Sequence, residues 1–343
     1  MGAPVEPRMR DVAERAGVSL STVSRALREA PGVTPEVRGR VRSAADELSY
    51  VVSRNASSLV TRRTGRVGLL LPRLQRWFFA AVADALCDSL QEQQLDTIVY
   101  QLGDATAGGE VRSLPLRQNV DAVVAVSLDF ADELTDQLDE LALPTVFCSR
   151  WLQGRHCVSI DNAAAARTAT QHLVNLGHRD IAYLHSRPLE GAAGNFGDRA
   201  HGYAEAMAAA GLPTRFERIA EGPAGGEAGM GRLLGATEVP TAVFAESDET
   251  AFGVLRVLRR SAVAVPAAVS VIGFDNHDLS DTFELTTIDQ DVPALGRAAG
   301  RLVAELATAG IERPARHVRQ ETRLLVRGST GIPRDGRVLS GVV

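Results

Sequence analysis

The chain has 343 residues, 45% hydrophobic and 23% charged, and this length suits two or three domains with sizeable cores. No apolar run approaches the roughly 18 residues needed to span a bilayer, and the first residues lack the apolar core of a secretion signal. We therefore expect a cytoplasmic protein with no membrane partner. The sequence contains no lysine, which excludes a Walker-type phosphate loop and Schiff-base chemistry. Three cysteines without CxxC spacing predict reduced core residues: Cys87, Cys148 and Cys157.

The charge of the chain is distributed unevenly. Through Thr64 there are 11 arginines against 7 acidic residues, a net charge of +4, so the remainder carries −9 of the total −5. A small basic head on an acidic body suits a polyanionic partner at one end only. An ordinary solvated surface is the alternative, and this charge alone does not exclude it.

Two short helices are predicted near the amino terminus. The first runs from about Arg10 to Ala16 and ends at Gly17, which tolerates positive φ. Ser19 can cap the second helix, so the pair predicts a helix-turn-helix. Leu20, Ser21 and Thr22 are short enough to approach base edges, and the residues expected to reach phosphates are Ser24, Arg25 and Arg28. A structural helical hairpin is the alternative reading.

A third helix and a short polar segment follow. Thr34 is the expected N-cap and Pro35 the first helical residue, in a helical run that ends at Tyr50. The segment from Ser53 to Leu59 is too short and polar to be stable as an isolated helix. We interpret it as a hinge that becomes ordered only on a partner.

These segments resemble the lac/gal repressor family of bacterial transcription regulators. The resemblance is carried by AGVSxxTVSRAL, VTPEVRxRVxxAADELSY and SxxxASSL, and it continues through LGHRDIAYL, DRAHGYAEAM, PTAVFAESDETAFGVLRVLR and VSVIGFDN, from about residue 8 to residue 330. It implies that Leu20 and Ser21 lead the base contacts, that Ala56 packs two hinge helices together, and that Leu59 wedges into the minor groove. The sequence departs from the family where Val52 replaces a common proline and Arg28 a common asparagine.

The body after the hinge alternates short β-branched runs with helical runs. The predicted strands are RVGLLLP, DTIVYQ, DAVVAVS, PTVFCSR and CVSID, followed by a second series: IAYLHS, TAVFAES, VSVIGFD and LTTID. This alternation predicts an α/β body of two doubly wound, parallel-sheet subdomains with a ligand crevice between them. The resemblance adds a periplasmic-binding-protein-like topology in which the chain crosses between the subdomains three times, near Asp161, Gln290 and Gln320. The stretch ETRLLVRGST would then finish the second half.

The expected domain boundaries follow from these assignments. The helix-turn-helix head covers 8–52, and the hinge helix and linker cover 53–64. The remaining boundaries are 65–161 with 291–319 for the N-terminal subdomain, 162–290 with 320–330 for the C-terminal subdomain, and 331–343 for a disordered tail.

Candidate effector-binding residues stand where body strands end. Arg76, Trp77 and Phe78 follow the first strand, and aromatic faces stack on sugars or flat bases. Asp275 ends one strand and Ser247 with Asp248 another, where a buried carboxylate needs a ligand or cation to satisfy it. Core packing is the alternative for Trp77, and helix capping is the alternative for Asp248. Arg199 matches the arginine with which family members hold their effectors, and with Asp275 it would fix hydroxyls or a carboxylate.

No motif indicates a cofactor, a metal or a catalytic triad. GxGxxxG at Gly229 lacks a preceding strand, and the seven histidines form no HExxH pair. We therefore expect a repressor, not an enzyme, acting as a homodimer or higher oligomer on palindromic double-stranded operator DNA. A sugar or sugar derivative is the favoured effector, with a nucleobase or another metabolite as the alternative. A solute-binding protein and a sugar-acting enzyme on the same body are the competing functions.

Overall fold

The computed structural model describes residues 7–50, 63–103, 111–127, 132–187, 195–309 and 314–333. The hinge candidates Ser53, Ala56 and Leu59, like Val52, lie outside the described residues. The chain forms two compact units, a head, Met1–Gly65, and a body, Arg66–Val343.

The described part of the head contains three helices: α1 (Met9–Ala16), α2 (Leu20–Leu27) and α3 (Pro35–Glu47). Gly17 ends α1 with φ 67°, and the Ser19 hydroxyl accepts from the Thr22 backbone N–H at 3.2 Å, so the predicted turn is confirmed. Thr34 caps α3 as predicted, but α3 ends at Glu47 rather than at Tyr50. The three helices bury one shared apolar cluster: Val12, Ala13, Ala16, Val23, Ala26, Val41, Ala44 and Ala45.

The body contains two six-stranded sheets. The first sheet is built from β1 (Arg66–Leu71), β2 (Asp96–Gln101), β3 (Ala122–Val126), β4 (Thr145–Cys148), β5 (His156–Ser159) and β11 (His317–Arg319). The second is built from β6 (Ile181–His185), β7 (Arg215–Arg218), β8 (Ala242–Ala245), β9 (Ser270–Asp275), β10 (Thr286–Asp289) and β12 (Arg323–Leu325). The strand orders are β11-β5-β4-β3-β1-β2 and β12-β10-β9-β8-β6-β7, and the two doubly wound halves match the predicted fold class.

Nearly all strand pairs are parallel, and only β10 with β12 runs antiparallel among the described strands. The chain passes from the first sheet to the second after β5, returns after β10, and passes over again between β11 and β12. Two short strands, β7 and β11, were not anticipated. Both are edge strands and are largely polar, so they lack the apolar pattern that marks buried strands.

Helices cover both sheets, as parallel crossovers require. The first half has α4 (Trp77–Gln91), α5 (Leu116–Asn119), α6 (Asp132–Glu140) and α11 (Val292–Ala309), with a short 3₁₀ turn at Val111–Ser113. The second half has α7 (Asn162–Asn175), α8 (Asn195–Ala209), α9 (Gly222–Leu234) and α10 (Asp248–Arg260). Helices α9 and α10 cross so closely that a Cβ added at Gly253 would lie 2.0 Å from the Pro223 carbonyl oxygen.

Large aromatic side chains fill the core of the second half. Tyr183 is fully buried and stacks on Tyr203 at 5.2 Å, while Phe244 meets it edge-on at 5.0 Å. A hydrogen bond fixes the last described residues of this half. The Gly331 carbonyl accepts from the buried His178 ring, whose Nε2 lies 3.0 Å away, and this bond ties residue 331 to the body.

Candidate functional site

A cavity of about 60 Å³ lies between the two halves of the body. Its walls come mainly from residues at the carboxyl ends of strands in both sheets, where a doubly wound fold places its ligands. The lining residues are Pro72, Arg73, Arg76, Phe78, Phe79, Ser127, Ser149, Arg187, Arg199, Glu221, Glu246, Ser247, Glu249 and Asp275.

Arg199, on α8, is the best-anchored charge in this cavity. Its Nε donates to the Asn162 side chain at 2.9 Å, and Nη1 donates to the Glu246 carbonyl at 2.7 Å. The guanidinium also lies 3.6 Å over the Phe274 ring, a cation–π contact that strengthens when water is excluded. These contacts fix the plane of the guanidinium and leave Nη2 directed towards Asp275, 3.9 Å from Oδ1.

Asp275 ends β9 as a buried carboxyl in the cavity wall. Burial raises its pKa to about 8, although the nearby Arg199 charge acts to lower it. The Gln290 amide donates to Oδ1 at 2.5 Å. Among charged groups, Arg199 has the largest effect on this carboxyl, and at 3.9 Å it is just beyond hydrogen-bonding distance.

A second buried carboxyl, Glu246, lines the same cavity. Burial raises its pKa to about 7, and the Ser186 backbone N–H donates to Oε2 at 2.8 Å. The sequence pattern points to the next two residues, Ser247 and Asp248, and not to Glu246. The signal that could have found Glu246 is its place at the end of β8, directly before the helix cap.

Two arginine–glutamate pairs stand towards the rim of the cavity. Arg76 Nε donates to Glu249 Oε2 at 2.8 Å, which joins the segment after β1 to α10 in the other half. Arg187 Nη2 lies 3.3 Å from Glu221 Oε1. The cavity thus contains four arginines and four carboxyl groups, with Arg73 and Arg199 completing the basic set and Glu246 and Asp275 the acidic set.

Three non-glycine residues in the cavity wall have positive φ. Ser127 (φ 43°) follows β3, Ser149 (φ 67°) follows β4, and Asp275 (φ 120°) ends β9. Such backbone conformations cost on the order of 1–3 kcal/mol each and concentrate where a fold holds groups for binding or catalysis. The two serines add hydroxyl groups that can both donate and accept hydrogen bonds.

Most predicted effector residues lie at this cavity. Arg76, Phe78, Arg199, Ser247 and Asp275 all contribute to its lining. Phe79, the next residue along α4, lines it as well.

Trp77 is not brought into the cavity lining. It begins α4 and stacks on His277 from the other half, with 4.7 Å between ring centroids, while its Nε1 donates to Asp278 at 3.0 Å. Its neighbours Arg76 and Phe78 face the cavity instead, because successive residues of a helix point in different directions.

Asp248 is also outside the lining, since all its strong contacts are made within the second half. Its carboxylate accepts from the His277 backbone N–H at 2.8 Å and from the hydroxyls of Ser280 and Thr287 at 2.6 Å each. The N-cap of α10 is Ser247, whose hydroxyl accepts from the Thr250 N–H. Asp248 is therefore a buried structural carboxylate in the first turn, and the alternative role of helix cap belongs to its neighbour Ser247.

In the head, the predicted DNA-contacting residues from Leu20 to Arg25 lie on α2, and Arg28 is the C-cap of this helix. Leu20 is 50% exposed, and Ser21, Arg25 and Arg28 are exposed beside it. The Arg28 side chain bonds back to Ser24, with Nε 3.0 Å from the Ser24 carbonyl oxygen. An exposed leucine costs stability in isolation, whereas it suits an apolar contact with a base in the major groove.

The described residues contain no group of three histidine, cysteine, aspartate or glutamate side chains arranged to hold a metal ion. Within the same ranges, no helix is both long and apolar enough to cross a bilayer.

A helix-turn-helix head with a body that holds a cavity between two parallel-sheet halves defines a ligand-sensing DNA-binding regulator. Residues 8–53 match the model of bacterial regulatory proteins of the lacI family, and residues 170–330 match the periplasmic binding protein-like domain. The chain belongs to the LacI family, and it is a sequence-specific DNA-binding transcription regulator.

Individual relatives agree over nearly the whole chain. The HTH-type transcriptional regulator CelR of Thermobifida fusca is 34% identical over 337 residues, covering 94% of this chain and 98% of the relative. GalS of Salmonella typhimurium is 32% identical over 341 residues, covering 96% and 98%. A solved CelR–cellobiose complex superposes with a TM-score of 0.67 at 30% identity, covering 94% of this chain and 99% of that one. These relatives are regulators by name, so the enzyme and solute-binding alternatives are not favoured.

Proposed function

We propose that the body binds a neutral carbohydrate in the described cavity and that binding changes the affinity of the head for its operator. The observation that carries this proposal is the buried Arg199–Asp275 pair, held 3.9 Å apart in the cavity wall. Neighbouring sugar hydroxyls could accept from the guanidinium and exchange hydrogen bonds with the Asp275 carboxyl, and the aromatic faces of Phe78 and Phe79 suit the C–H face of a sugar ring.

The charge balance of the cavity favours an uncharged ligand. Arg76 is paired with Glu249, Arg187 with Glu221, and Arg199 faces Asp275. A phosphate or carboxylate would have to displace Glu249 or Glu221 from its arginine, and its charge would lie near the Asp275 and Glu246 carboxyls, which burial already makes costly to ionise. A neutral sugar requires neither change.

Similarity to a known regulator suggests the first ligand to test. The solved CelR complex contains cellobiose, and this chain resembles CelR along almost its full length. Cellobiose is therefore the first candidate effector.

Operator binding is proposed to use the exposed face of α2. Leu20, Ser21 and Thr22 would contact base edges in the major groove. Ser24, Arg25 and Arg28 would contact phosphates, and Ser53, Ala56 and Leu59 would form the hinge contact in the minor groove. Because two half-sites need two heads, the functional unit is proposed to be at least a homodimer on palindromic DNA, acting in the bacterial cytoplasm.

The sequence-derived boundaries form part of this proposal. The head is 8–52 and the hinge 53–64, followed by subdomains of 65–161 with 291–319 and 162–290 with 320–330, and the tail is 331–343.

A thermal-shift screen of neutral sugars, sugar phosphates and purines tests the ligand proposal. A neutral sugar at about 100 times its Kd should stabilise the wild-type chain by roughly 2.7 kcal/mol. Arg199→Ala and Asp275→Ala should lose that stabilisation, whereas Asp84→Ala, a change on an exposed face of α4, should keep it. If both cavity variants respond to the sugar as the wild type does, the proposed site is wrong.

A further inference from the structure

Trp151 is a large apolar side chain that remains 58% exposed. Tryptophan is highly buried on average in folded proteins, so an exposed indole at a fixed position suggests a surface that another molecule covers. Trp151 lies just beyond the carboxyl end of β4, the end that faces the crevice in a doubly wound fold.

The backbone around Trp151 is held on both sides. The Ser149 N–H donates to the Val158 carbonyl at 2.7 Å. The Cys157 thiol donates to the Leu152 carbonyl oxygen, 3.5 Å from Sγ. The Leu152 backbone N–H in turn donates to the same sulfur at 3.3 Å. An aromatic side chain on a backbone fixed in this way is a prepared platform, because little ordering is needed when a ligand arrives.

A neighbouring ring supports the indole. The His317 ring centroid lies 6.3 Å from that of Trp151, with the planes tilted by 46°. His317 is itself fixed by Ser159, with 2.8 Å between Nε2 and Oγ. The indole thus has a fixed aromatic neighbour while more than half of its surface faces outward.

Trp151 is close to the cavity and to the opposite half of the body. It follows the cavity-lining Ser149 by two residues, so their Cα atoms are within about 7 Å of each other. Arg150, the residue before Trp151, is near enough to Asp198 at the start of α8 for its charge to act on that carboxyl. Burial raises the pKa of Asp198, and the Arg150 guanidinium acts to lower it. The segment therefore stands beside the crevice between the halves.

The cavity itself is small for a disaccharide. Its volume is about 60 Å³, which is enough for roughly four to six water molecules at about 10–15 Å³ each. A sugar, above all one of two or more rings, has to extend beyond this space. Trp151, two residues after the cavity-lining Ser149, exposes a large aromatic side chain there.

We infer that Trp151 is a second sugar-binding subsite at the edge of the cavity, which stacks on an outer ring and makes the regulator selective for oligosaccharides over monosaccharides. This inference rests on the proposed carbohydrate function. Stacking uses the C–H face of a pyranose against the indole face, an interaction that requires no charge on the ligand.

Titration calorimetry with matched sugar series tests this subsite. Three sugar series are compared in parallel. The first is glucose, cellobiose and cellotriose, the second is glucose, maltose and maltotriose, and the third is galactose and lactose. Wild-type full-length protein is compared with Trp151→Phe, which keeps a ring, and Trp151→Ala, which removes it. We expect Trp151→Ala to bind the di- or trisaccharide of the recognised series roughly 2- to 10-fold more weakly, Trp151→Phe to lose less, and monosaccharide affinity to change by less than about twofold.

The fluorescence of Trp151 is a second measurement. It would not respond to a bound oligosaccharide if Trp151 had only a structural role. The chain has two tryptophans, so the difference between wild type and Trp151→Phe isolates the Trp151 emission. An oligosaccharide should shift this emission to shorter wavelength and protect it from acrylamide, whereas a monosaccharide should not.

The outcomes separate the two proposals. If an oligosaccharide binds but Trp151→Ala binds it with unchanged affinity, the subsite is wrong while the carbohydrate proposal stands. Equal protection of Trp151 with and without bound oligosaccharide also overturns the subsite. If no sugar in any series binds the wild type, the carbohydrate proposal and the subsite both fail.

Discussion

Replacing Asp275 with asparagine should change how the stability of the body depends on pH. Burial raises the pKa of Asp275 to about 8, whereas an aspartate in an unfolded chain has a pKa near 3.9. The folded protein therefore holds this carboxyl in its protonated form. The stability that this preference contributes is fully present below about pH 4 and is lost as pH rises through about 8.

The size of the effect follows from the same two pKa values. Each pH unit between them reduces the wild-type free energy of unfolding by about 1.4 kcal/mol, so the whole interval amounts to several kcal/mol, on the order of 5 kcal/mol. Asparagine cannot ionise, and its carbonyl oxygen can still accept from Gln290, which bonds Oδ1 in the wild type. Asp275→Asn should therefore gain stability relative to the wild type as pH rises.

Urea denaturation of both proteins between about pH 5 and pH 8, at constant ionic strength, measures this difference. The free energy of unfolding of Asp275→Asn minus that of the wild type should increase steadily with pH. Asp84→Asn, on an exposed face of α4, is the matched control and should run parallel to the wild type. A profile for Asp275→Asn that also runs parallel would contradict the assignment of a buried, protonated carboxyl.

Two further substitutions test local packing and capping. Gly253→Ala places a Cβ 2.0 Å from the Pro223 carbonyl and should destabilise the body by about 1–3 kcal/mol in urea denaturation. Gly231→Ala, with no atom within 4 Å of the added Cβ, should be neutral or stabilising, and equal losses in both would refute the close crossing. Ser19→Ala removes the hydroxyl that caps α2 by accepting from the Thr22 N–H, and it should destabilise the head by about 1 kcal/mol. Circular dichroism should therefore show a lower melting temperature for the head. An unchanged melting temperature would show that this cap is not needed.

Local chemistry made much of the fold predictable. Gly17, Ser19 and Thr34 mark helix ends through preferences that act within a few residues, and each has its predicted role. The β-branched runs of the body likewise predict buried parallel strands. The end of α3 at Glu47 was missed because Leu48 to Tyr50 continue the apolar pattern, and a pattern does not define where a helix frays.

The candidate site was predictable in its main pair and not in its details. Arg199 and Asp275 could be placed at one crevice because parallel strands end on the same side of their sheets. Whether Trp77 or Phe79 faces the cavity depends on the rotation of α4 against the other half, which its sequence does not determine. Asp248 could not be separated from a ligand-binding carboxylate, because its hydroxyl partners Ser280 and Thr287 are distant in the chain.

The most direct test of the account is the affinity of the full-length protein for palindromic DNA from around its own gene, measured by fluorescence anisotropy with and without cellobiose. The account predicts specific binding in which the logarithm of the association constant falls linearly with the logarithm of the salt concentration. The magnitude of this slope should be smaller by about one in Arg25→Ala, and the bound sugar should change the operator affinity. If cellobiose does not bind, the neutral sugar identified in the thermal-shift screen takes its place. Binding that is indifferent to salt and to operator sequence, or an operator affinity that a bound sugar leaves unchanged, would contradict the account.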